Sequence, residues 1–418
     1  MSSPVWHPFT QHGLNEPIVS VVRSEGAYLY TAEGRAIVDA ISSWWVTTHG
    51  HSHPKIMAAI VAAANSLDQV IFAGFTHEPA EQLASALLAV MPGQLAHVFF
   101  TDSGSTSVEV ALKMALGFWL NRGEPRHRIA VMEHSYHGDT IGAMSVGARG
   151  IFNQAYSPLL FEVDQIPFPS EGVEQESIDA LERLCLTSAP PAAYIVEPLI
   201  LGAGGMLIYG PETLRSFREV CERHSVLFIA DEIMTGWGRT GSFLACEQAG
   251  IVPDLLCLSK GLTGGSLPLA VTLATAPIFE AHFSNDPRRQ FFHSSSYTAN
   301  PIACSAALAN LMIWRDEPVL ERVQRLTERQ TKHVAKLKAV TAPRQLGTIT
   351  AFELEGRGND YLATIGPRLR SFFLERNVLL RPLGNTVYVM PPYCVEEGEL
   401  ELIYGAIDEA IDVQVRKA

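Results

Sequence analysis

Two kinds of apolar pattern alternate along the middle of the chain. Unbroken runs rich in Val, Ile, Leu and Phe occur at Val226–Ala230 and Leu255–Leu258, as in strands buried on both faces of a parallel sheet. His97–Phe100, Ile129–Glu133 and Ala193–Val196 read as further strands. Between them apolar residues fall at helical spacing. Ile56, Ala59, Ile60 and Ala63 follow His53-Pro54, and Leu83, Ala86, Leu87 and Val90 share one face of Pro79–Val90. Further helices are expected over Thr106–Leu120, near Ile178–Leu186 and from Ile302 to Arg315. The first residues read differently: VVRSEGAYLYTAEGRAIVDA alternates like two strands joined at Ala32-Glu33-Gly34. Ser42-Ser43-Trp44-Trp45, read as extended, sends its adjacent indoles to opposite sides, so at most one can line a given pocket. Ile151–Pro190 is Pro-rich and reads as a surface excursion. Beyond Pro318, long helical patterns (Leu320–Val340, Tyr361–Glu375) are broken by strands such as Val387–Met390. The pattern predicts an α/β fold with a mostly parallel central sheet, helices on both faces and a smaller α+β domain. The expected divisions are 1–50, joining the small domain, 51–316, the large domain, and 317–418, the rest of the small one.

At 418 residues the chain is long enough for two domains or one large one, and 47% hydrophobic with 18% charged residues suits a soluble globular enzyme. A net charge of −13 without a Lys/Arg run argues against a nucleic-acid surface. The six cysteines lie far apart with no C-x-x-C pair, so neither a zinc cluster nor a disulfide framework is expected. MSSPVWHPFTQH lacks the pattern of a signal peptide, and no 18-residue apolar span occurs. A reducing cytoplasm is the expected location, with no membrane partner.

The chemistry concentrates in Val226–Gly265. Open parallel sheets bind ligands beyond the carboxyl ends of their strands. Asp231 ends one apolar run and Lys260 follows another, so both can point into one crevice although 29 residues apart (260 − 231). A lysine there can form a Schiff base with an aldehyde, and a carboxylate can keep a pyridine nitrogen protonated; together they describe a pyridoxal phosphate site. Ile233, two residues past Asp231, would share its face and pack on the cofactor ring. Taken singly, the acid could equally be a helix cap and the lysine a surface charge. Asp102-Ser103-Gly104-Ser105, before a strong helix, offers free N–H groups and the positive end of a dipole to a phosphate. With no G-K-[ST], a nucleotide P-loop is not indicated. Hydroxyls at Ser294-Ser295-Ser296 also precede a helix. Tyr136, after a strand end, could stack on a ring or simply close a loop. His49, His51 and His53 alternate, but with no carboxylate or cysteine cluster nearby they read as turn and pocket residues, and no metal is expected. Glu197, at another strand end, could be structural or pair with a cation.

LFIADEIMTGWGRTG followed by PDLLCLSKGLTGG resembles the lysine signature of the class III pyridoxal phosphate aminotransferases, which have the fold type I architecture. The resemblance implies that Lys260 is the Schiff-base lysine and proton shuttle and Asp231 the pyridinium partner. It further implies that Gly104, Ser105, Ser295 and Ser296 hold the cofactor phosphate and that Tyr136 stacks on the ring. Phe9, Trp44, Tyr136, Ser294, Arg239 and Arg381 would border the substrate. The Ser294–Ser296 loop would reach a neighbouring subunit's cofactor, which implies a homodimer with shared sites. Trp6-His7-Pro8-Phe9-Thr10, Ser42-Ser43-Trp44-Trp45, Tyr136-His137-Gly138-Asp139-Thr140, Gly202-Ala203-Gly204-Gly205-Met206 and Arg381-Pro382-Leu383-Gly384 narrow the resemblance to one branch. That branch takes a substrate with a carboxylate, matched to an arginine, and an aliphatic chain, matched to aromatics. The chain departs from the family at Phe9, where tyrosine is usual, at His293-Ser294-Ser295-Ser296, where H-G-P-T is common, and at Leu383, where an aromatic is frequent. Phe9 and Leu383 fit lysine as amino donor, whereas Trp44-Trp45 fits a donor bearing a sulfonium and an adenine.

Overall fold

The computed structural model describes residues 4–14, 16, 18–354 and 365–415. The expected helix start at Tyr361 lies outside the described residues. Three strands open the fold, β1 (Val21–Glu25), β2 (Tyr28–Thr31) and β3 (Ala36–Asp39), paired as an antiparallel meander. The expected two strands are three because Gly26, at φ 56°, lets the chain reverse inside what reads as one alternating run.

The tryptophan segment is not extended. Ser42, Ser43, Trp44 and Trp45 form α1 (Ser42–Trp45), a left-handed turn with φ of 52°, 45°, 70° and 74°. Such a backbone costs roughly 1–2 kcal/mol per residue and must be held from outside. Ser42 Oγ donates to Met390 O at 2.7 Å, and Ser43 Oγ to Asp39 Oδ2 at 2.7 Å. The indoles still diverge: Trp45 is buried and Trp44 is 39% exposed.

The central region runs α2 (Pro54–Ala64), α3 (Glu78–Val90), β4 (Leu95–Thr101), α4 (Gly104–Asn121), β5 (Ile129–Met132), α5 (Ile141–Ser145), β6 (Asp164–Ile166), α6 (Glu174–Cys185) and β7 (Ala193–Val196). The hairpin β8 (Ile200–Leu201) and β9 (Leu207–Ile208) follows, then α7 (Pro211–Arg223), β10 (Leu227–Asp231), α8 (Ala245–Ala249), β11 (Leu255–Leu258), β12 (Ala270–Thr275), α9 (Ala276–His282) and α10 (Pro301–Asp316). Seven strands form one sheet in the order β4-β12-β11-β10-β7-β5-β6. It is parallel except for β12, which runs antiparallel to both neighbours. Side chains alternate through it. Tyr194, Val196, Phe228, Ala230, Leu256 and Leu258 pack toward Leu83, Leu181 and Phe217 of α3, α6 and α7. Ala193, Ile195, Leu227, Ile229, Leu255 and Cys257 pack toward Val108, Ala111 and Phe118 of α4. Both faces are dry, which explains the unbroken apolar runs.

The remainder is α11 (Val319–Val334), β13 (Val340–Leu346), β14 (Ile349–Leu354), α12 (Ile365–Glu375), β15 (Val378–Leu379), β16 (Thr386–Val389) and α13 (Glu397–Val415). The helix expected to reach Val340 stops at Val334, since Val340 already pairs with Leu354. β15 joins β3 in parallel, Val378 opposite Val38, so the first strands share a sheet with the C-terminal part. A third apolar cluster, with Val38, Ile41, Phe352, Val387 and Ile407, binds these pieces into the smaller lobe.

Candidate active site

Asp231 and Lys260 leave neighbouring parallel strands, with Asp231 opposite Cys257 and Lys260 three residues further on. They face one cavity of about 180 Å³. Gly104, Ser105, Tyr136 and Ile233 line it with them, so six of the residues singled out in the sequence meet there.

The wall formed by α4 is built for an anion. Ser103 caps the helix: its Oγ accepts from Thr106 N at 3.3 Å while its own N–H donates to Thr106 Oγ1 at 3.0 Å. The N–H groups of the first turn have no carbonyl partner inside the helix and collect at its positive end. A Cβ on Gly104 would lie 3.0 Å from Ile233. Gly138, at φ 128°, packs so tightly on this helix start that an added Cβ would lie 2.1 Å from Ser105 Oγ, which already accepts from Asp139 N at 3.1 Å.

Asp231 is 4% exposed. Its Oδ1 accepts from Ile233 N at 3.1 Å and its Oδ2 from His137 Nδ1 at 2.7 Å. The His137 side chain is wholly buried, and its Nε2 has no partner among the described residues. Glu197 accepts from Tyr136 N at 2.9 Å and from Gly202 N at 3.0 Å, tying the Tyr136 loop to the turn between β8 and β9. Burial, opposed by the nearby His137, raises the Glu197 carboxyl to about 7. Burial also raises the Tyr136 hydroxyl, with Asp139 adding to the effect. Lys260 sits at φ 45°, and its Nζ lies 4.9 Å from the centre of the Trp45 ring. Loss of water lowers the ammonium to about 8, although Asp231 and Glu197 pull the other way. Trp45, His137 and Glu197 were not among the site residues expected from sequence. The signals for His137 were its place beside Tyr136 after a buried strand and its membership of the motif Tyr136-His137-Gly138-Asp139-Thr140.

Phe9, Trp44 and Arg381 form a separate group that does not line this cavity. The Phe9 and Trp44 rings are 5.3 Å apart, the Arg381 guanidinium lies 5.1 Å from the Trp44 ring, and Arg381 Nη2 donates to Phe9 O at 3.2 Å. Phe152, 6.1 Å from Phe9, joins them to a second cavity that shares Tyr136 and Gly138 with the first. Arg239 does not line the cavity either, although its charge is felt at Lys260. It is 1% exposed, with Nη1 donating to Pro391 O at 3.0 Å and Nη2 to Thr47 O at 2.7 Å. Its Nη1 and Nη2 are thus held by backbone carbonyls under the tryptophan segment, while its Nε, also buried, has no partner among the described residues. Ser294, Ser295 and Ser296 also stay out of the cavity. Ser295 Oγ donates to Asp102 Oδ2 at 2.8 Å, beside the α4 cap, and Ser294 and Ser296 are exposed.

The alternating histidines serve packing. His51 Nε2 lies 2.9 Å from Asp39 Oδ2, and His49 Nε2 lies 2.8 Å from Asn310 Oδ1. Among the described residues no His, Cys, Asp and Glu group could hold a metal, no helix is long and apolar enough to cross a membrane, and the cysteines are unpaired.

A mixed α/β sheet carrying a buried acid and a lysine at adjacent strand ends, opposite a capped helix start, defines an aminotransferase architecture. The sequence profile of the family Aminotransferase class-III matches residues 9–411, and the chain belongs to that family. It is similar to the adenosylmethionine-8-amino-7-oxononanoate aminotransferase of Synechococcus elongatus, 46% identical over 98% of both chains. The enzyme of that name from Geobacter sulfurreducens is 36% identical over 97% of this chain and 95% of its own. Among solved structures, the adenosylmethionine-8-amino-7-oxononanoate aminotransferase of Methanocaldococcus jannaschii superimposes with a TM-score of 0.93 at 34% identity, covering 98% of this chain and 97% of that one. An amine transaminase from an uncultivated Pseudomonas species, in a PLP-bound form, gives 0.92 at 30% identity with 99% of each chain covered.

Proposed function

We propose that this chain moves an amino group from adenosylmethionine to 8-amino-7-oxononanoate, giving 7,8-diaminononanoate for biotin synthesis, with pyridoxal phosphate as cofactor. The observation that carries this reading is the convergence of Asp231, Lys260 and the start of α4 on one cavity. The residues suit the cofactor group by group. The α4 N-terminus at Gly104 and Ser105 suits its phosphate, buried Asp231 its pyridine nitrogen, and Ile233 with Tyr136 its ring faces. When bound, the cofactor supplies an aldehyde that takes up the amino group and a ring that accepts the electron pair left when a proton departs. Asp231, anchored by His137, would hold a positive charge on the ring nitrogen. Lys260, lowered to about 8 by burial, is partly deprotonated near neutral pH and so can take and return that proton.

The Phe9–Trp44–Arg381 group forms the outer, substrate-facing part of the site. Arg381 suits a carboxylate and the rings suit an aliphatic chain or a sulfonium. Lysine is the alternative donor, and Phe9 and Leu383 favour it, because this branch usually has a tyrosine and an aromatic there. The enzyme works as a cytoplasmic homodimer in which Ser294, Ser295 and Ser296 serve the neighbouring subunit's site.

Stopped-flow mixing of cofactor-loaded enzyme with adenosylmethionine and, separately, with lysine tests the donor through the cofactor's absorbance. Adenosylmethionine should convert the cofactor, and Trp44→Ala should weaken donor use more than cofactor binding. Conversion by lysine alone would overturn the donor assignment while leaving the aminotransferase standing.

A further inference from the structure

Lys260 holds a backbone conformation that a non-glycine residue keeps only under external constraint. Asn310 of α10 supplies one. It is fully buried behind the turn Lys260–Thr263, and its Nδ2 lies 2.9 Å from Gly261 O and 3.0 Å from Leu262 O. Carbonyls only accept, so the amide must turn its NH2 toward them and its oxygen toward His49. His49 Nε2, 2.8 Å from that oxygen, is therefore the donor, and its Nδ1 carries no hydrogen. Burial suits this neutral tautomer, since it lowers the His49 imidazole to about 3. Space around the network is tight. A Cβ on Gly264 would lie 2.6 Å from Ile56 and 3.4 Å from Asn310 Oδ1, and one on Gly265 would lie 2.6 Å from the Val46 backbone. His49 and Trp45, whose ring faces Lys260, belong to the same stretch of chain.

We propose that Asn310, oriented by His49, is a positioning residue for Lys260: it clamps the two carbonyls after the lysine and so keeps Nζ inside the cavity. The inference rests on the reading of Lys260 as the cofactor lysine, but it can be tested without cofactor. The pH dependence of Lys260 acylation in cofactor-free protein, quantified by peptide mass spectrometry, reports whether Nζ is in its buried place. The charged groups acting on it, Asp231 and Glu197 on one side and Arg239 on the other, are untouched by the substitutions.

In the parent the midpoint should lie near 8. Asn310→Ala should raise it by about one pH unit or more, as Nζ escapes toward water. His49→Leu should shift it the same way by less, and His49→Gln, which keeps a donor for Asn310 Oδ1, should restore the parental midpoint. A lower melting temperature in Asn310→Ala with an unchanged midpoint would reduce Asn310 to packing and overturn the proposal. If Asn310→Ala does not fold, an unchanged midpoint in His49→Leu overturns it as well. Borohydride treatment of the loaded parent is the separate control: cofactor fixed at another lysine rejects the cofactor reading, while the midpoint still judges Asn310.

Discussion

Asp231 and Glu197 are two buried carboxyl groups with different work. Asp231 carries hydrogen bonds from a backbone N–H and from His137, and the proposed chemistry depends on its charge. Asp231→Asn keeps the shape and removes that charge, so cofactor should still bind through the α4 end. The half-reaction should slow by roughly a thousandfold, about 4 kcal/mol of transition-state stabilisation. A near-parental stopped-flow rate would show that Asp231 does not serve the ring. Glu197 instead joins two loops and titrates. Its folded value of about 7 lies above the ordinary 4.5. Between those values the native chain holds a proton that the unfolded chain has released. This group's contribution to stability is therefore complete below 4.5 and is lost as pH rises through 7. In cofactor-free protein, thermal melts from about pH 5 to about pH 8 should show Glu197→Gln losing less melting temperature across the range than the parent. Parallel curves would rule the titration out.

At the scale of elements, the loop after β5 and the start of α4 act as one cradle. Gly138→Ala places a methyl where Ser105 Oγ already sits and forces an unfavourable φ. Pyridoxal phosphate affinity should fall at least about tenfold, roughly 1.4 kcal/mol, in a cofactor titration, with the far lobe unaffected. The elements legible in the sequence were those whose own pattern decides them. β10 and β11 are buried on both faces, so their apolar runs and terminal charges could be read directly, and Asp231 and Lys260 with them. Elements that neighbours decide were not legible. β6 is a three-residue strand at the sheet edge, drawn into register by β5 within a Pro-rich stretch. The turn at Ser42–Trp45 has no glycine to announce positive φ; hydrogen bonds that its own serines donate to Met390 and Asp39 hold it. That turn brings Trp45 rather than Trp44 to the lysine. The surroundings of Arg239 were hidden for a related reason: sequence shows its charge but not the carbonyls of Thr47 and Pro391 beside it. Asn310 reads as an ordinary helix residue.

At the scale of the molecule, one chain carries a cavity to which its serine loop contributes nothing. If the site is shared as proposed, sedimentation should give at least a dimer at working concentration, and Ser295→Ala with Ser296→Ala should weaken cofactor retention only in the associated form. An active monomer would contradict this. The parallel pairing of β3 with β15 has a consequence for how the protein is born. Val38 must wait for Val378, made 340 residues later (378 − 38). At about 5–20 residues per second that is roughly 17–70 s of ribosome time. The seven central strands, all within Leu95–Thr275, are complete well before then. The meander of β1, β2 and β3 thus lacks its β15 partner until after every strand of the central sheet has been made.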